Sequence, residues 1–103
     1  QVTIACNNID NNLLNKMVIA YEPVWAIGTG EIATNEMVAK THLDIRCILS
    51  DNGLKGDFIS ILYGGSVSPE NAITLSEIED VDGFLIGGSS LDIEKFYTIY
   101  NQL

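Results

Sequence analysis

Short apolar runs that alternate with helical patterns are the feature that most constrains how this chain can fold. The apolar runs are nearly continuous, and they lie at 16–22, 58–66 and 81–90. A continuous apolar run is typical of a strand that is covered on both faces, as in a parallel sheet. A helical pattern follows each run, at 34–53, 68–78 and 90–103. This order predicts an α/β fold of three βα units on a parallel sheet.

Local signals mark the boundaries of several helices. Thr34 is a suitable N-cap and Gly53 a suitable stop for the first helix. Ser68 followed by proline predicts the start of the second helix. The opening segment 1–15 is ambiguous and fits the end of a helix followed by an Asn-rich turn. Two stripes at helical spacing predict buried faces, one with Val38, Thr41, Ile45, Ile48 and Leu49, and one with Ile93, Phe96, Tyr97 and Tyr100.

Composition and charge limit the classes of function. The chain has 103 residues, of which 47% are hydrophobic, and this suits a single globular unit over 1–103. The formal net charge of −9 argues against nucleic acid or an anionic membrane as a partner, because both attract a basic surface. No apolar run reaches the ~18 residues that a membrane span needs. Because the first residue is Gln1 and not Met, we expect a processed chain or part of a longer one.

The cysteines do not suggest a metal site. Cys6 and Cys47 lack the close spacing of metal ligands. We expect two reduced thiols, as is usual for a cytoplasmic protein.

Two Gly-Gly-Ser turns follow the second and third apolar runs, at 64–66 and 87–89. Glycine allows an anion to approach the backbone closely, and a helix that starts at the turn adds partial positive charge. Ser66 can add a hydroxyl donor. Two such turns on neighbouring strands would face one ligand, and phosphate fits that chemistry. Glycines that only serve tight strand-to-helix connections explain the pattern equally well, so both interpretations stay open. The nucleotide motif G-x-x-x-x-G-K-[ST] is absent.

Glu22 lies at the end of the first apolar run, in the stretch "YEPVWAIGTG" (21–30). Parallel α/β folds build their sites at the carboxyl ends of strands. Pro23 fixes the backbone after the glutamate, and the apolar loop that follows would exclude water if it closed. A carboxylate in that setting suits a general base. The alternative is a glutamate in a surface turn beside a tryptophan that only packs.

Three motifs, "AYEPVWAIGTG", "YGGSV" and "VDGFLIGG", resemble the triosephosphate isomerase family in their order and spacing. The resemblance covers almost the whole chain and is strongest at 17–34 and 59–90. It implies a (β/α)8 TIM barrel, of which this chain would be a C-terminal partial barrel holding roughly strands six to eight. It further implies interconversion of dihydroxyacetone phosphate and glyceraldehyde 3-phosphate, in glycolysis and gluconeogenesis. The family is a cytoplasmic homodimer that uses no metal or other cofactor.

The resemblance also assigns roles to residues of this sequence. Glu22 would be the catalytic base, which moves a proton between neighbouring carbons through an enediolate. Arg46 and Asp82 would form a structural ion pair between a helix and the last strand. The first hinge of a closing lid would comprise Pro23, Val24 and Trp25. The phosphate of the substrate would be bound by Gly28, Ser66, Gly87 and Gly88, with Leu85 close by.

The chain departs from the family in two ways. The second hinge of the lid reads Glu31-Ile32-Ala33, where the family usually has Lys-Thr-Ala, so lid kinetics are expected to differ. A barrel of this kind needs ~250 residues, so the family's substrate-binding lysine and polarising histidine would lie in a missing N-terminal part. His42 is expected on the outer helix layer, and Lys16 at the wrong end of its strand. Neither can replace those groups.

Two functional hypotheses follow. In the first, the chain is part of an active isomerase, with a phosphorylated triose as substrate and the rest of the barrel as partner. In the second, it is a truncated or split half-barrel that binds phosphate without catalysis. Three strands alone would leave open sheet edges and an exposed apolar face.

Overall fold

The computed structural model describes residues 1–7, 9–26 and 33–103. Its centre is a parallel three-stranded sheet in the order β1-β2-β3, formed by Val18–Tyr21, Ser60–Tyr63 and Gly83–Phe84. In the described residues, four α-helices accompany it, α1 Val2–Ala5, α2 Asn35–Asp51, α3 Ala72–Ser76 and α4 Ile93–Gln102. Short 3₁₀-helices lie at Asn11–Lys16, Val24–Ala26, Gly56–Phe58 and Gly88–Leu91. The predicted α/β class and parallel sheet are confirmed.

Helix α2 begins and ends where its sequence signals predict. The Thr34 hydroxyl accepts a hydrogen bond from the Met37 N–H at 3.3 Å, as an N-cap does. Gly53 has φ +76°, the left-handed conformation that ends helices and that glycine adopts without strain. The buried face consists of Val38, His42, Ile45 and Leu49. It therefore differs from the predicted stripe, because Ile48 is exposed and His42 is buried.

Within the described chain, the helices cover one face of the sheet and leave the other open. Ile19 and Tyr21 of β1 pack against a cluster that includes Ile45 and Leu49 of α2. The side chains that alternate with them point the other way, and Val18 is 57% exposed. Both outer strands, β1 and β3, pair on one side only among the described residues. The expected open edges and exposed face are therefore present.

The last βα unit differs most from the sequence predictions. β3 has only two residues, and within the described chain it hydrogen-bonds to β2 alone. Helix α4 buries Ile99 and not the predicted stripe. Ile93 is 86% exposed and Tyr100 is 72% exposed. The helix is amphipathic as predicted, but the described chain leaves most of the stripe uncovered.

The second helix also starts later than predicted. Residues 69–71 form a turn, and α3 begins at Ala72 with Asn71 as its N-cap residue. Asn71 holds this turn together because its Oδ1 accepts the Ser68 N–H at 2.8 Å. Ser68 is therefore not the cap of α3.

His42 lies fully buried between α2 and the sheet. Its Nδ1 donates to the Asp80 carbonyl at 3.0 Å, and its ring meets the Tyr21 ring edge-on at 5.8 Å between centroids. Its Nε2 has no hydrogen-bond partner in the described chain. Burial lowers the pKa of His42 from its usual 6.5, although the bond to Asp80 and the charge of Asp82 oppose that shift. His42 is thus a packing residue, as expected for the outer layer.

The buried histidine predicts a loss of stability in mild acid. Because the folded pKa lies below the unfolded value of 6.5, the neutral ring stabilises the fold fully above pH 6.5. We expect that contribution to be lost as the pH falls below 6.5 toward the folded pKa. His42→Asn, which keeps a donor for the Asp80 carbonyl, should flatten this dependence. Urea unfolding of the native polypeptide between pH 5.5 and 7.5 measures it, and parallel curves for both proteins would contradict the assignment.

None of the described helices combines the length and the apolar character that crossing a lipid bilayer requires.

Candidate active site

The register of the sheet places the proposed site residues at one edge, the one formed by the carboxyl ends of the three strands and not by an outer strand. Tyr21 lies opposite Tyr63, and Tyr63 lies opposite Phe84. The residues that follow these three therefore leave the sheet at the same, carboxyl end. The backbone ladder continues past the strands, since Gly64 N–H donates to Tyr21 O at 2.8 Å and Leu85 N–H to Tyr63 O at 2.9 Å. Glu22, the turn at 64–66 and the turn at 87–89 thus share one edge.

Glu22 packs directly against the first glycine of the middle turn. A Cβ on Gly64 would lie 2.8 Å from Glu22 Cγ, closer than carbon atoms approach in proteins. Glu22 is exposed in this chain, while Pro23 after it is buried. Glycine at 64 therefore gives the carboxylate its place across the end of β2, a packing role that the sequence pattern did not reveal.

The segment after Glu22 forms the short 3₁₀-helix Val24–Ala26. Of the three predicted hinge residues, Val24 is 74% exposed and Trp25 is 44% exposed, so these two lie at the surface, whereas Pro23 is buried. Gly28, which the resemblance assigns to phosphate binding, lies outside the described residues. Glu31 and Ile32 of the second hinge also lie outside them, whereas Ala33 is buried at 4% exposure.

The two Gly-Gly-Ser turns meet through a side chain. Ser89 Oγ donates to the Val67 carbonyl at 2.7 Å, which joins the loop after β3 to the loop after β2. Ser66, Leu85, Gly87 and Gly88 are all exposed at this edge. Among the described residues, the N–H groups of Gly65 and Ser66 have no protein acceptor. Ser66 is exposed and Gly65 is half-buried, and backbone donors without a protein acceptor are suited to an anion.

The helix starts contribute less than the sequence predicts. α3 begins six positions after Ser66, so its N-terminus does not adjoin the first turn. The second turn is different, because the 3₁₀-helix Gly88–Leu91 begins within it. Its Gly87 carbonyl accepts from Ser90 N–H at 2.9 Å and from Ser90 Oγ at 2.6 Å. Only this second turn places a helix start beside its glycines.

A network around Arg46 holds the third strand to helix α2. Arg46 Nη2 donates to Asp82 Oδ2 at 2.9 Å, and Arg46 Nε lies 2.6 Å from Asp80 Oδ1 in an ion pair without hydrogen-bond alignment. Asp82 Oδ2 also accepts the Ile61 N–H of β2 at 2.7 Å. Burial opposes the charge of Arg46, but the hydrogen bond and charge of Asp82, with the charge of Asp80, raise its pKa. The Arg46–Asp82 contact that the resemblance implies is thus present.

Lys16 and His42, the two residues considered as replacements for the family's lysine and histidine, do not lie at this edge. Lys16 ends the 3₁₀-helix that precedes β1, so it lies before the amino end of that strand. His42 is buried under the sheet, as described above. Their predicted inability to serve the site is consistent with these positions.

Comparison with known proteins bears on this geometry. The family model described as triosephosphate isomerase matches residues 1–103. The triosephosphate isomerase of Xanthobacter autotrophicus is 56% identical over 86 residues, covering 82% of this chain and 34% of that protein. The one from Francisella tularensis subsp. holarctica is 47% identical over 104 aligned positions, covering 99% and 41%. The one from Mycoplasma pneumoniae is 47% identical over 97 positions, covering 92% and 40%. The chain thus spans roughly a third to two fifths of the length of these curated relatives.

Proposed function

The chain belongs to the triosephosphate isomerase family, and we propose that the protein it comes from interconverts dihydroxyacetone phosphate and glyceraldehyde 3-phosphate. The observation that carries this proposal is the shared edge of the sheet. It holds one carboxylate, Glu22, next to two glycine turns in which Ser66, Gly87 and Gly88 are exposed. A base beside a phosphate pocket is the arrangement that the reaction needs.

Glu22 is proposed as the base. Its carboxylate takes a proton from the carbon beside the substrate carbonyl, which leaves an enediolate, and returns the proton to the neighbouring carbon. A glutamate base under a closing lid in triosephosphate isomerase is an established example of this chemistry. Pro23, Val24 and Trp25 serve as the first hinge of that lid. Closure excludes water, which strengthens the electrostatic interactions around the carboxylate.

The phosphate of the triose is held without a lysine or arginine of this chain. Ser66 supplies a hydroxyl donor, and Gly87 and Gly88 supply backbone N–H groups at the start of the 3₁₀-helix. Gly28 supplies a further N–H, and Leu85 lines the pocket. Neutral donors on glycines suit this chain, whose net charge is −9.

We further propose that the chain is the C-terminal part of a single TIM-barrel domain. Its length relative to the curated relatives supports this, and so does the uncovered surface. An open apolar groove of about 400 Å³ lies between β3 and α4, lined by Phe84, Ile86, Phe96, Ile99 and Tyr100 among others. An N-terminal part would cover this groove and extend the sheet at both edges. It would also supply the family's lysine and histidine, which complete the active site. The complete protein is proposed to be a cytoplasmic homodimer that uses no cofactor.

The intact mass of the native polypeptide that contains "YEPVWAIGTG" tests this proposal, together with its turnover of dihydroxyacetone phosphate. A mass of ~250 residues with turnover supports it. A mass near 11.2 kDa, with phosphate binding but no turnover, would instead support a half-barrel that binds phosphate without catalysis. Sedimentation of the same sample tests the homodimer.

The contact between Glu22 and Gly64 predicts that a side chain at position 64 lowers the activity. In Gly64→Ala the added methyl group would meet Glu22 Cγ at 2.8 Å and displace the carboxylate. We expect kcat to fall about 10- to 100-fold, because small misplacements of a base are costly. Gly83→Ala is the matched control, since its methyl group would meet only the end of the flexible Leu62 side chain at 3.1 Å. Equal kcat values for both variants would contradict the predicted displacement.

A further inference from the structure

The hydrogen bond between the two glycine turns has a consequence for the phosphate pocket. Ser89 Oγ donates to the Val67 carbonyl at 2.7 Å, across 22 positions of sequence. Ser89 is half-buried and Val67 is 6% exposed, so this bond is largely shielded from water. A shielded acceptor that loses its donor is costly to leave unpaired. The bond therefore holds the two turns at a defined separation.

Both ends of this hydrogen bond lie next to residues proposed to bind the phosphate. Val67 directly follows Ser66, and Ser89 directly follows Gly87 and Gly88. Each end of the bond is thus adjacent to a group proposed to bind phosphate. Donors on two separate loops bind one anion well only when their spacing is held before binding, since ordering them on binding costs free energy.

Other side chains shape the first loop without fixing this spacing. Asn71 Nδ2 donates to Ser66 O at 2.9 Å, within the same loop. Gln102 Nε2 of α4 donates to Pro69 O at 3.0 Å, farther from the pocket. Ser90 Oγ bonds the Gly87 carbonyl within the second turn. Among the described side chains, Ser89 is the one whose hydrogen bond runs from the second turn to the first.

We propose that Ser89 is a positioning residue that sets the spacing between Ser66 and the Gly87–Gly88 turn, and through it the affinity for the phosphate group. This inference rests on the proposed function. Ser66 and Ser89 occupy equivalent places in the two Gly-Gly-Ser turns, "YGGSV" and "IGGSS", but their side chains make different contacts. The Ser66 side chain is exposed and makes no hydrogen bond to protein within the described chain, whereas the Ser89 side chain is half-buried and bonded.

Ser89→Ala in the native full-length polypeptide tests the proposal. We expect KM for dihydroxyacetone phosphate to rise about three- to tenfold, the effect of one ordinary hydrogen bond, with kcat within about twofold. The inhibition constant of inorganic phosphate should rise in parallel. Ser89→Thr, which keeps the hydroxyl, should restore most of the affinity. Unchanged KM and inhibition constants in Ser89→Ala would overturn the proposal.

Ser76→Ala is the matched control. Ser76 is exposed, and its hydroxyl bonds the Ile73 carbonyl within α3 at 2.7 Å. The Ser76→Ala variant loses the same type of side-chain hydrogen bond but leaves both turns unchanged, so its kinetics should match those of the unaltered protein. An equal rise of KM in both variants would mean that Ser89 acts only through general stability, and would overturn the proposal.

Hydrogen–deuterium exchange separates this inference from the proposed function. Ser89→Ala should speed exchange of the Gly64 and Ser68 amides, which are bonded to Tyr21 O and to Asn71 Oδ1, while Ser76→Ala should not. If the native polypeptide shows no isomerisation, the proposed function fails and the exchange result alone decides about the coupling of the turns. Identical exchange in all three proteins would overturn that coupling.

Discussion

Replacing Glu22 by glutamine is expected to lower kcat of the native polypeptide about 10²- to 10⁴-fold, the contribution of a positioned general base. Glutamine keeps the shape and the packing against Gly64 but cannot take up the proton. Binding should survive, because the phosphate donors lie on other loops. The measurement is kcat for glyceraldehyde 3-phosphate, with the inhibition constant of inorganic phosphate measured alongside. That constant should stay within about twofold of the original value.

The control is Glu77→Gln, which makes the same chemical change at an exposed position at the end of α3. It should leave kcat unaltered. If Glu22→Gln kept more than about a tenth of the original kcat, another group would have to be the base. If inhibitor binding were lost as well, Glu22 would be a binding residue and not the base.

Replacing Arg46 by methionine is expected to destabilise the fold by about 2–4 kcal/mol. Methionine retains much of the apolar stem but removes every donor. Asp80 and Asp82 would then face each other without a counter-charge. The carbonyls of Gly56 and Ile59, bonded at 2.8 and 3.3 Å, would lose their Arg46 Nη1 donor. Partial exposure of the two aspartates keeps the expected cost below that of a fully buried pair.

Urea unfolding of the native polypeptide at fixed protein concentration measures this cost. The control is Lys40→Met on the same helix. Lys40 pairs with Asp44 at 2.6 Å, but their side chains are 76% and 55% exposed. Exposed pairs contribute little, so this variant should change stability by less than about 0.5 kcal/mol. Similar losses in both variants would mean that the Arg46 network adds nothing beyond a surface ion pair.

Helix α2 and strand β1 show how far local signals reach. Thr34 and Gly53 mark the ends of α2 because an N-cap and a left-handed stop are properties of single residues and their neighbours. β1 lies within the predicted run at 16–22. In both cases the deciding interactions span only a few positions.

The last βα unit shows where such signals stop. The apolar run at 81–90 predicts a long strand, yet β3 covers only Gly83–Phe84, because strand length depends on partners to pair with. The stripe on α4 predicts a buried face, yet Tyr97 is 64% exposed, because burial depends on what lies opposite. Periodicity reports which side of an element is apolar and not what covers it.

The candidate site likewise has features that local sequence patterns predict and features that they do not. Glu22 and the glycine turns stand out in the sequence, since a carboxylate after a strand and Gly-Gly-Ser before a helix are short patterns. The packing role of Gly64 and the bond from Ser89 do not, because each depends on atoms from a different βα unit. The repeated Gly-Gly-Ser pattern was the one sequence signal for Ser89, and it would have suggested the same phosphate-binding role as for Ser66. The assignments of Glu22, Ser66, Leu85, Gly87 and Gly88 to a triose phosphate stay predictions.

By itself, the sequence determined the order of strands and helices, the approximate ends of β1 and α2, and the residue types at the carboxyl ends of the strands. These features arise from backbone preferences and spacing within about one element. Only the tertiary structure decided that His42 is buried, that Gly64 seats Glu22 and that Ser89 joins the two turns. Those outcomes depend on the parallel register, which brings residues from separate units within a few ångströms. No pattern along the chain encodes such distances, because many registers can bury the same apolar runs.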